Sequence, residues 1–220
     1  MTKLRSKNVS SQPLKPGSGA HQLLLTAEQL FAAQGFEAVS TRIIAREAGQ
    51  KNSSALHYHF GDKQGLLLAL LEYRLAPINL LRADRLKTLL GRTRRPEIEE
   101  LVAVFIEPMS EQLRLPVTET GYLALLSQLY AYKRGRELYS LYHDSNRVMY
   151  KLSGAILREL EPRPQPVVHM RLQFMGRQTI TALAEWDDLR RNKAQEMSES
   201  IRVWRTEQLV RYITYGLLAP

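Results

Sequence analysis

The residues with the clearest chemical purpose lie between Ser40 and Phe60. The stretch Ser40-Thr-Arg-Ile-Ile-Ala-Arg-Glu-Ala-Gly49 is followed at once by Gln50-Lys-Asn-Ser-Ser-Ala-Leu-His-Tyr-His-Phe60. Ala45 and Ala48 are small enough for two short helices to cross closely, and Gly49 supplies a turn between them. Ile44, Leu56 and Phe60 are apolar anchors for holding the pair against a preceding helix. Lys51, Asn52, Ser53, Ser54, His57 and Tyr58 then remain on the outer edge of the second helix. These are short or planar hydrogen-bonding groups, sized to reach base edges and phosphates in a major groove. The spacing is that of a helix-turn-helix; the plainer reading is a three-helix packing unit without nucleic acid.

Three kinds of element must position this edge. A first helix is expected at about 22–34, where Leu23, Ala27, Leu30 and Phe31 recur at three- and four-residue steps and Gly35 ends the run. Ser40 or Thr41 can cap the next helix, which carries Ile44, Ala45 and Ala48 to Gly49. A short helix over about 52–60 follows. A long amphipathic helix then begins near Lys63, with Leu66, Leu70 and Tyr73 on its inner face, and Pro77 is expected to kink or interrupt it. Further helices are expected at about 96–114, 119–133, 136–160, 165–191 and 194–217, separated by proline and glycine positions. Two-residue alternation of β-branched residues and Asn-Gly hairpin turns are missing. The expected fold is all-α: a tail at 1–20, a three-helix helix-turn-helix domain at 21–66 and a larger helical domain at 67–220.

Charge agrees with an anionic partner without demanding one. The 220 residues carry a net charge of +9, with no cysteine. The tail holds Lys3, Arg5, Lys7 and Lys15 and no acid, so it is strongly basic for its length, while residues 21–65 balance to zero. A basic arm of this kind can enter a minor groove, and it can equally be a solubilising leader. Without cysteine there is no disulfide, no thiolate metal site and no cysteine nucleophile. No apolar run approaches the length of a membrane span, and the first residues lack the apolar core of a secretory signal, so a cytoplasmic protein without membrane contact is expected.

Leu30-Phe31, Gly35-Phe36, Ser40, Ile44-Ala45, Ala48-Gly49, Leu56, Tyr58-His59-Phe60, Lys63 and Leu66 together make residues 22–70 resemble the tetracycline-repressor (TetR) family of transcriptional regulators. The turn is one residue longer than the usual pattern, and His57 stands where many members have tyrosine. The resemblance implies a DNA-binding set. Thr41 and Arg42 open the second helix and face DNA, and Lys51, Asn52, Ser53 and Ser54 begin the recognition helix. His57 and Tyr58 project from its middle, His59 has a phosphate or packing role near its end, and Lys63 meets a phosphate at the start of the long helix.

The same resemblance implies a C-terminal domain that binds a small-molecule effector in a pocket between helices. Candidate lining residues are Phe105, Met109, Tyr122, Leu126, Tyr130, Tyr142 and Phe174, all of types that also build plain cores. The last helix has two apolar stripes, one of Val203, Val210, Ile213 and Leu217, the other of Ile201, Trp204 and Tyr215. The helix at 165–191 carries Leu172, Met175 and Trp186 along one side, with Gly176 allowing close approach. A helix apolar on two sides packs on its own domain and on something else, which suggests a homodimer built from these two helices of each protomer. Leu172, Met175, Gly176, Trp186, Val203, Val210, Ile213 and Leu217 are the candidate interface. A dimer would present two recognition helices to an operator in double-stranded DNA, which a bound effector would release.

Catalysis finds little support. A glycine-rich phosphate loop, a Gly-x-Ser-x-Gly elbow and a His-Glu-x-x-His helix are missing. His57 and His59 diverge on their helix and cannot easily share a metal, and His143-Asp144 has no nucleophile beside it. The expectation is a regulator that is not an enzyme and uses no cofactor or metal. A ligand-independent DNA-binding regulator or a helical protein-interaction module are the alternatives.

Overall fold

The structure, a computed structural model, describes residues 15–132, 135–137, 147–192 and 197–220. The elements among these residues are helical: α1 (Gly19–Gln34), α2 (Thr41–Glu47), α3 (Ser54–Phe60), α4 (Lys63–Arg92), α5 (Ile98–Ser110), a 3-10 turn (Glu111–Arg114), α6 (Tyr122–Ala131), α7 (Arg147–Glu159), α8 (Gln165–Asn192) and α9 (Glu199–Leu218). The fold is all-α, with the helix-turn-helix at the N-terminal end and the larger helical part after it.

Side-chain caps set several of the helix starts, each filling a main-chain N–H that the first turn leaves open. The Ser18 hydroxyl accepts from the His21 amide at 3.2 Å, that of Ser40 from Ile43 at 3.3 Å and that of Ser198 from Ile201 at 3.3 Å. Asp62 does the same for α4, accepting from the Gly65 amide at 2.7 Å. The chain does not stop at Pro77: α4 runs uninterrupted from Lys63 to Arg92. Proline removes one main-chain hydrogen bond. Here its ring is exposed, while Leu75 and Ile78 on either side are buried, so the helix keeps its packed face through the defect.

The chain divides into two compact units, with the division falling inside α4: one of residues 1–74 and 118–142, the other of 75–117 and 143–220. The first unit contains α1, α2, α3, the opening of α4, and α6, which returns to pack on α1. Its apolar centre is built from Leu23, Leu24, Ala27 and Phe31 of α1, Ile44 of α2, Leu56 of α3, Leu66, Leu67 and Leu70 of α4, and Leu125 and Leu126 of α6. A fully buried carboxylate, Glu28, lies among them. It accepts from Arg74 Nε at 2.8 Å, from the Gly121 amide at 2.6 Å and from the Thr120 hydroxyl at 3.1 Å, while Arg74 also donates to the Glu119 carbonyl at 2.6 Å. A charge at this depth is tolerable only because every side of it is answered by a donor.

In the second unit α5 is the central element. Leu101, Val102, Phe105, Ile106 and Met109 are buried along it, against α9 (Leu209, Val210, Ile213, Leu217), α7 (Leu152, Ala155, Ile156) and α8 (Ile180, Leu183). Buried arginines tie main-chain ends to this core. Arg82 donates to the Phe105 carbonyl at 2.9 Å and lies over the Phe105 ring. Arg190, paired with buried Asp187, donates to the carbonyls of Leu113 and Leu115 at 2.9 and 2.6 Å. At the start of α9, Glu199 accepts from Arg202 and Arg114, and Arg202 reaches the Ser110 hydroxyl at 2.8 Å.

Two outcomes test this packing. A Cβ at Gly65 would overlap the main-chain carbonyl of Phe60. Glycine to alanine in an open helix stabilises by up to about 1 kcal/mol; at this site Gly65→Ala is expected to destabilise by about 1–3 kcal/mol, the usual range for overpacking, in thermal or urea unfolding. At the other end of the chain, hydrogen bonds from Arg202 first and Arg114 second hold the Glu199 carboxyl down to about 2, from an ordinary 4.5. A depressed carboxylate contributes stability above its unfolded value and loses it as pH falls through the folded one. The difference in midpoint temperature between the chain and Glu199→Gln is therefore full at pH 6 and closes between pH 4.5 and 2; a difference indifferent to pH contradicts the clasp.

Candidate nucleic-acid interface

Helices α2 and α3 are seven residues each, too short to persist alone in water. Each is held by what it buries. Ile44 and Ala45 of α2, and Leu56 and Phe60 of α3, are lost from solvent against α1. Between them the chain reverses with the Gly49 amide on the Arg46 carbonyl at 3.0 Å and the Gln50 amide on the Ala45 carbonyl at 2.8 Å. Gly49 has φ of 72°, a left-handed conformation that side-chain-bearing residues adopt only with strain. Ala48 is half-buried at the end of α2, so the close crossing falls to Ala45.

The outer edge carries most of the expected polar set. Arg42 is exposed and has no partner among the described residues, and the same holds for Lys51. Thr41 is half-buried on the first turn of α2. At the entry to α3 the Asn52 side-chain oxygen accepts from the Ser54 amide at 2.9 Å, which sets the turn; Ser53 is half-buried and Ser54 exposed. Tyr58 is the most exposed of the large hydrophobic residues among those described, at 85%, with its ring edge-on to His59 at 5.0 Å. His57 is exposed too, but its Nδ1 is engaged with the Gly61 carbonyl at 2.8 Å, so it closes the end of α3 as well as facing outward. His59 is half-buried between Tyr58 and Phe60. Exposed along α2, the connection into α3 and α3 itself are Arg42, Lys51, Asn52, Ser54, His57 and Tyr58: a cationic, hydrogen-bonding and aromatic set.

Lys63 is the exception. Its ammonium turns inward and donates to the carbonyls of Phe36, Val39 and Glu37 at 2.9, 3.1 and 3.3 Å, over the ring of Phe36. Sequence reasoning missed Asp62 and Gly65, which fix the joint between α3 and α4. The signal was a capping aspartate three residues ahead of a glycine, where no helix interior requires one. The basic residues Lys3, Arg5 and Lys7 lie outside the described residues, and Lys15 is exposed just ahead of α1.

The remaining candidates are distributed over both units. Phe105 and Met109 are buried in the core of the second; Tyr122 and Leu126 are buried, and Tyr130 half-buried, in the first. Tyr142, like His143 and Asp144, lies outside the described residues. Phe174 is nearly half exposed on the outer side of α8, where it lines a groove with Gln178, Tyr212 and Tyr215 rather than an interior wall. Of the candidate interface residues, Val210 is buried in the second unit's core, and Met175, Ile213 and Leu217 are buried as the groove's floor. Leu172, Gly176 and Trp186 are half-buried and Val203 is exposed. The outward apolar stripe of α9 is the other one, Ile201, Trp204 and Tyr215, together with Tyr212. Among the described residues no three histidines, aspartates or glutamates gather as a metal site, and no helix is long and apolar enough to cross a membrane.

Residues 23–70 match the family model for bacterial regulatory proteins, tetR family. The HTH-type transcriptional repressor AcnR of Corynebacterium glutamicum is 31% identical over 102 residues, which cover 46% of this chain and 53% of AcnR, so the match spans about half the length of this curated relative. Among solved structures, AmtR of Mycobacterium smegmatis superposes with a TM-score of 0.58 at 21% identity, over 92% of this chain and 90% of that one. The ketosteroid transcriptional regulator KstR2 of Mycobacterium tuberculosis gives 0.57 at 18% identity, over 95% and 98%. At such identities these structures speak to the fold, which they share along nearly the whole chain. The segment matched by the family model runs from Leu23 of α1 through the helix-turn-helix to Leu70 of α4, so over this stretch the chain is similar to bacterial regulatory proteins of the tetR family.

Proposed function

We propose that the chain is a DNA-binding transcriptional regulator which represses by holding an operator and lets go when a small molecule binds its larger helical part. The observation that carries the first half is the edge of α2 and α3. Arg42, Lys51 and Tyr58 stand in solvent, while the residues that hold them, Ile44, Leu56 and Phe60, are buried. Arginine is suited to a guanine edge or a phosphate, and a short helix entering a major groove reads bases from its first turns. The repressing direction is supported by the name of the AcnR relative. Release by an effector is supported by the family; it requires the effector to bind the DNA-incompetent state more tightly, and a 100-fold effect needs about 2.7 kcal/mol of coupling.

The regulator acts as a homodimer in this reading, through the outer side of α8 and α9. Met170, Phe174, Ile201, Trp204, Tyr212 and Tyr215 lie exposed there, with grooves between the two helices. An apolar surface with aromatic anchors is the composition of a protein interface. Two protomers would set their recognition edges about one duplex turn apart, roughly 34–36 Å, or a multiple of that.

Selection of bound fragments from genomic DNA, followed by mobility shift on the selected duplex, tests the reading. Arg42→Ala and Tyr58→Ala are each expected to weaken binding by about 1–3 kcal/mol, roughly 5- to 150-fold; full affinity in both contradicts it. Replacing Trp204 and Tyr215 together by glutamate is expected to give monomers in sedimentation and to cut operator affinity, whereas a retained dimer moves the interface elsewhere.

A further inference from the structure

Lys63 is a half-buried cation of the first unit, and its hydrogen bonds all go to main chain. An ammonium has three N–H donors and no acceptor. All three are met by carbonyls of the connection between α1 and α2: Phe36 at 2.9 Å, Val39 at 3.1 Å and Glu37 at 3.3 Å. The Phe36 ring, 4.5 Å from the nitrogen, closes a further side. The bonds reach 24 to 27 residues along the chain, so they tie the first residue of α4 to the loop that delivers α2. Val39 precedes the Ser40 cap, and Thr41 and Arg42 follow directly. The Asp62 cap and the close passage of Gly65 under the Phe60 carbonyl hold the same end of α4 against α3. Lys63 thus stands where the entry of α2 and the exit of α3 are fixed to one another.

We propose that Lys63 is a positioning residue for DNA recognition, setting the entry of α2 through three carbonyls instead of neutralising a phosphate. The proposal rests on the DNA-binding reading above and refines it. A phosphate at Lys63 would have to displace bonds already made in the free protein, among them those to the Phe36 and Val39 carbonyls. Arg42, exposed and without a partner among the described residues, has no such cost and is the residue that answers the backbone charge.

The two roles differ in their salt dependence. Each phosphate neutralised by a protein cation contributes about 0.9 to the slope of log affinity against log salt. A positioning residue contributes to affinity at every salt concentration and leaves that slope alone. The experiment measures the affinity of the whole 220-residue chain for the duplex chosen by fragment selection, across a potassium chloride series. It compares the chain with Lys63→Met, Lys63→Arg and Arg42→Ala, each checked for a folded circular-dichroism spectrum at the working temperature.

The expected result is a tenfold or larger loss for Lys63→Met with an unchanged slope, and for Arg42→Ala a slope smaller by about one for each bound protomer. Lys63→Arg decides where the methionine variant fails to fold. Arginine keeps the charge, but its planar fork does not suit three carbonyls converging on a point. It is expected to bind weakly with the slope of the unmodified chain, and the amide resonances of Thr41 and Arg42 are expected to shift in the free protein. Full affinity in Lys63→Arg, a slope reduced by about one per protomer in Lys63→Met, or full affinity in folded Lys63→Met each overturns the proposal. If the unmodified chain selects no duplex, the DNA-binding reading has failed, and the failure is visible before any Lys63 variant is compared.

Discussion

The constraint on which the structure depends is that two helices of seven residues must be rigid although neither is stable by itself. A helix this short gains few internal hydrogen bonds against the cost of its nucleus. Its order must come from outside. Ile44, Leu56 and Phe60 supply it by burial, Gly49 by a turn that another residue would strain, Ser40 and Asn52 by capping and turn bonds, and Lys63 by three bonds to the connecting loop. Asn52 apart, whose side chain sets the turn from within the polar set, these residues are buried or lie at the turns and ends of the two helices. The division of labour leaves the side chains of Arg42 and Tyr58 on the helices, and of Lys51 on the connection between them, exposed and without a hydrogen bond or ion pair among the described residues, which is the state a recognition surface requires.

The Glu28 hub extends the same constraint to α6. A carboxylate buried on α1 costs much more to strand than it gains from any one partner, so the arrangement around it is all-or-none. Arg74, Thr120 and the Gly121 amide answer it from α4 and from the start of α6. Gln128 adds a bond from α6 to the Ala32 carbonyl at 2.7 Å. On the other side of the unit boundary, which falls between Val117 and Thr118, Arg190 and Arg191 grip the carbonyls of Leu113, Leu115 and Val117. Around Val117 and Thr118, one of the places where the chain passes from one unit to the other, each side is thus fixed to its own unit by hydrogen bonds that involve charged groups, the stronger kind.

What could be read from the sequence was local. Three- and four-residue spacing of Leu23, Ala27 and Phe31, the Ser40 cap, the Gly49 turn and the anchors Leu56 and Phe60 all signal within one or two turns of themselves, and the helix-turn-helix follows from them. The inward turn of Lys63 was not legible, because its partners are main-chain oxygens that leave no mark in a sequence. The role of Glu28 was hidden for a related reason: an acid on an amphipathic helix reads as solvated unless the distant Arg74 and Gly121 are known to meet it. On α9 both stripes are apolar, and hydrophobicity alone does not choose between them. The structure buries Val210, Ile213 and Leu217 of the first stripe but leaves Val203 exposed, and it exposes Ile201, Trp204 and Tyr215 of the second, with Tyr212 beside them; the tryptophan and tyrosine polar atoms lose less in water. Pro77 misled because local chemistry predicts a break, whereas burial on both sides of it holds α4 together.

The most direct test of the whole account is to titrate a selected duplex into isotope-labelled protein and follow the main-chain amide resonances. The account requires the large, early changes to fall on 41–42 and 51–58, with the amides of the buried α1 face around Leu23 and Ala27 keeping their free-state positions apart from uniform broadening. Changes centred on α8 and α9, or none along α2 and α3 while the duplex is bound, would contradict it.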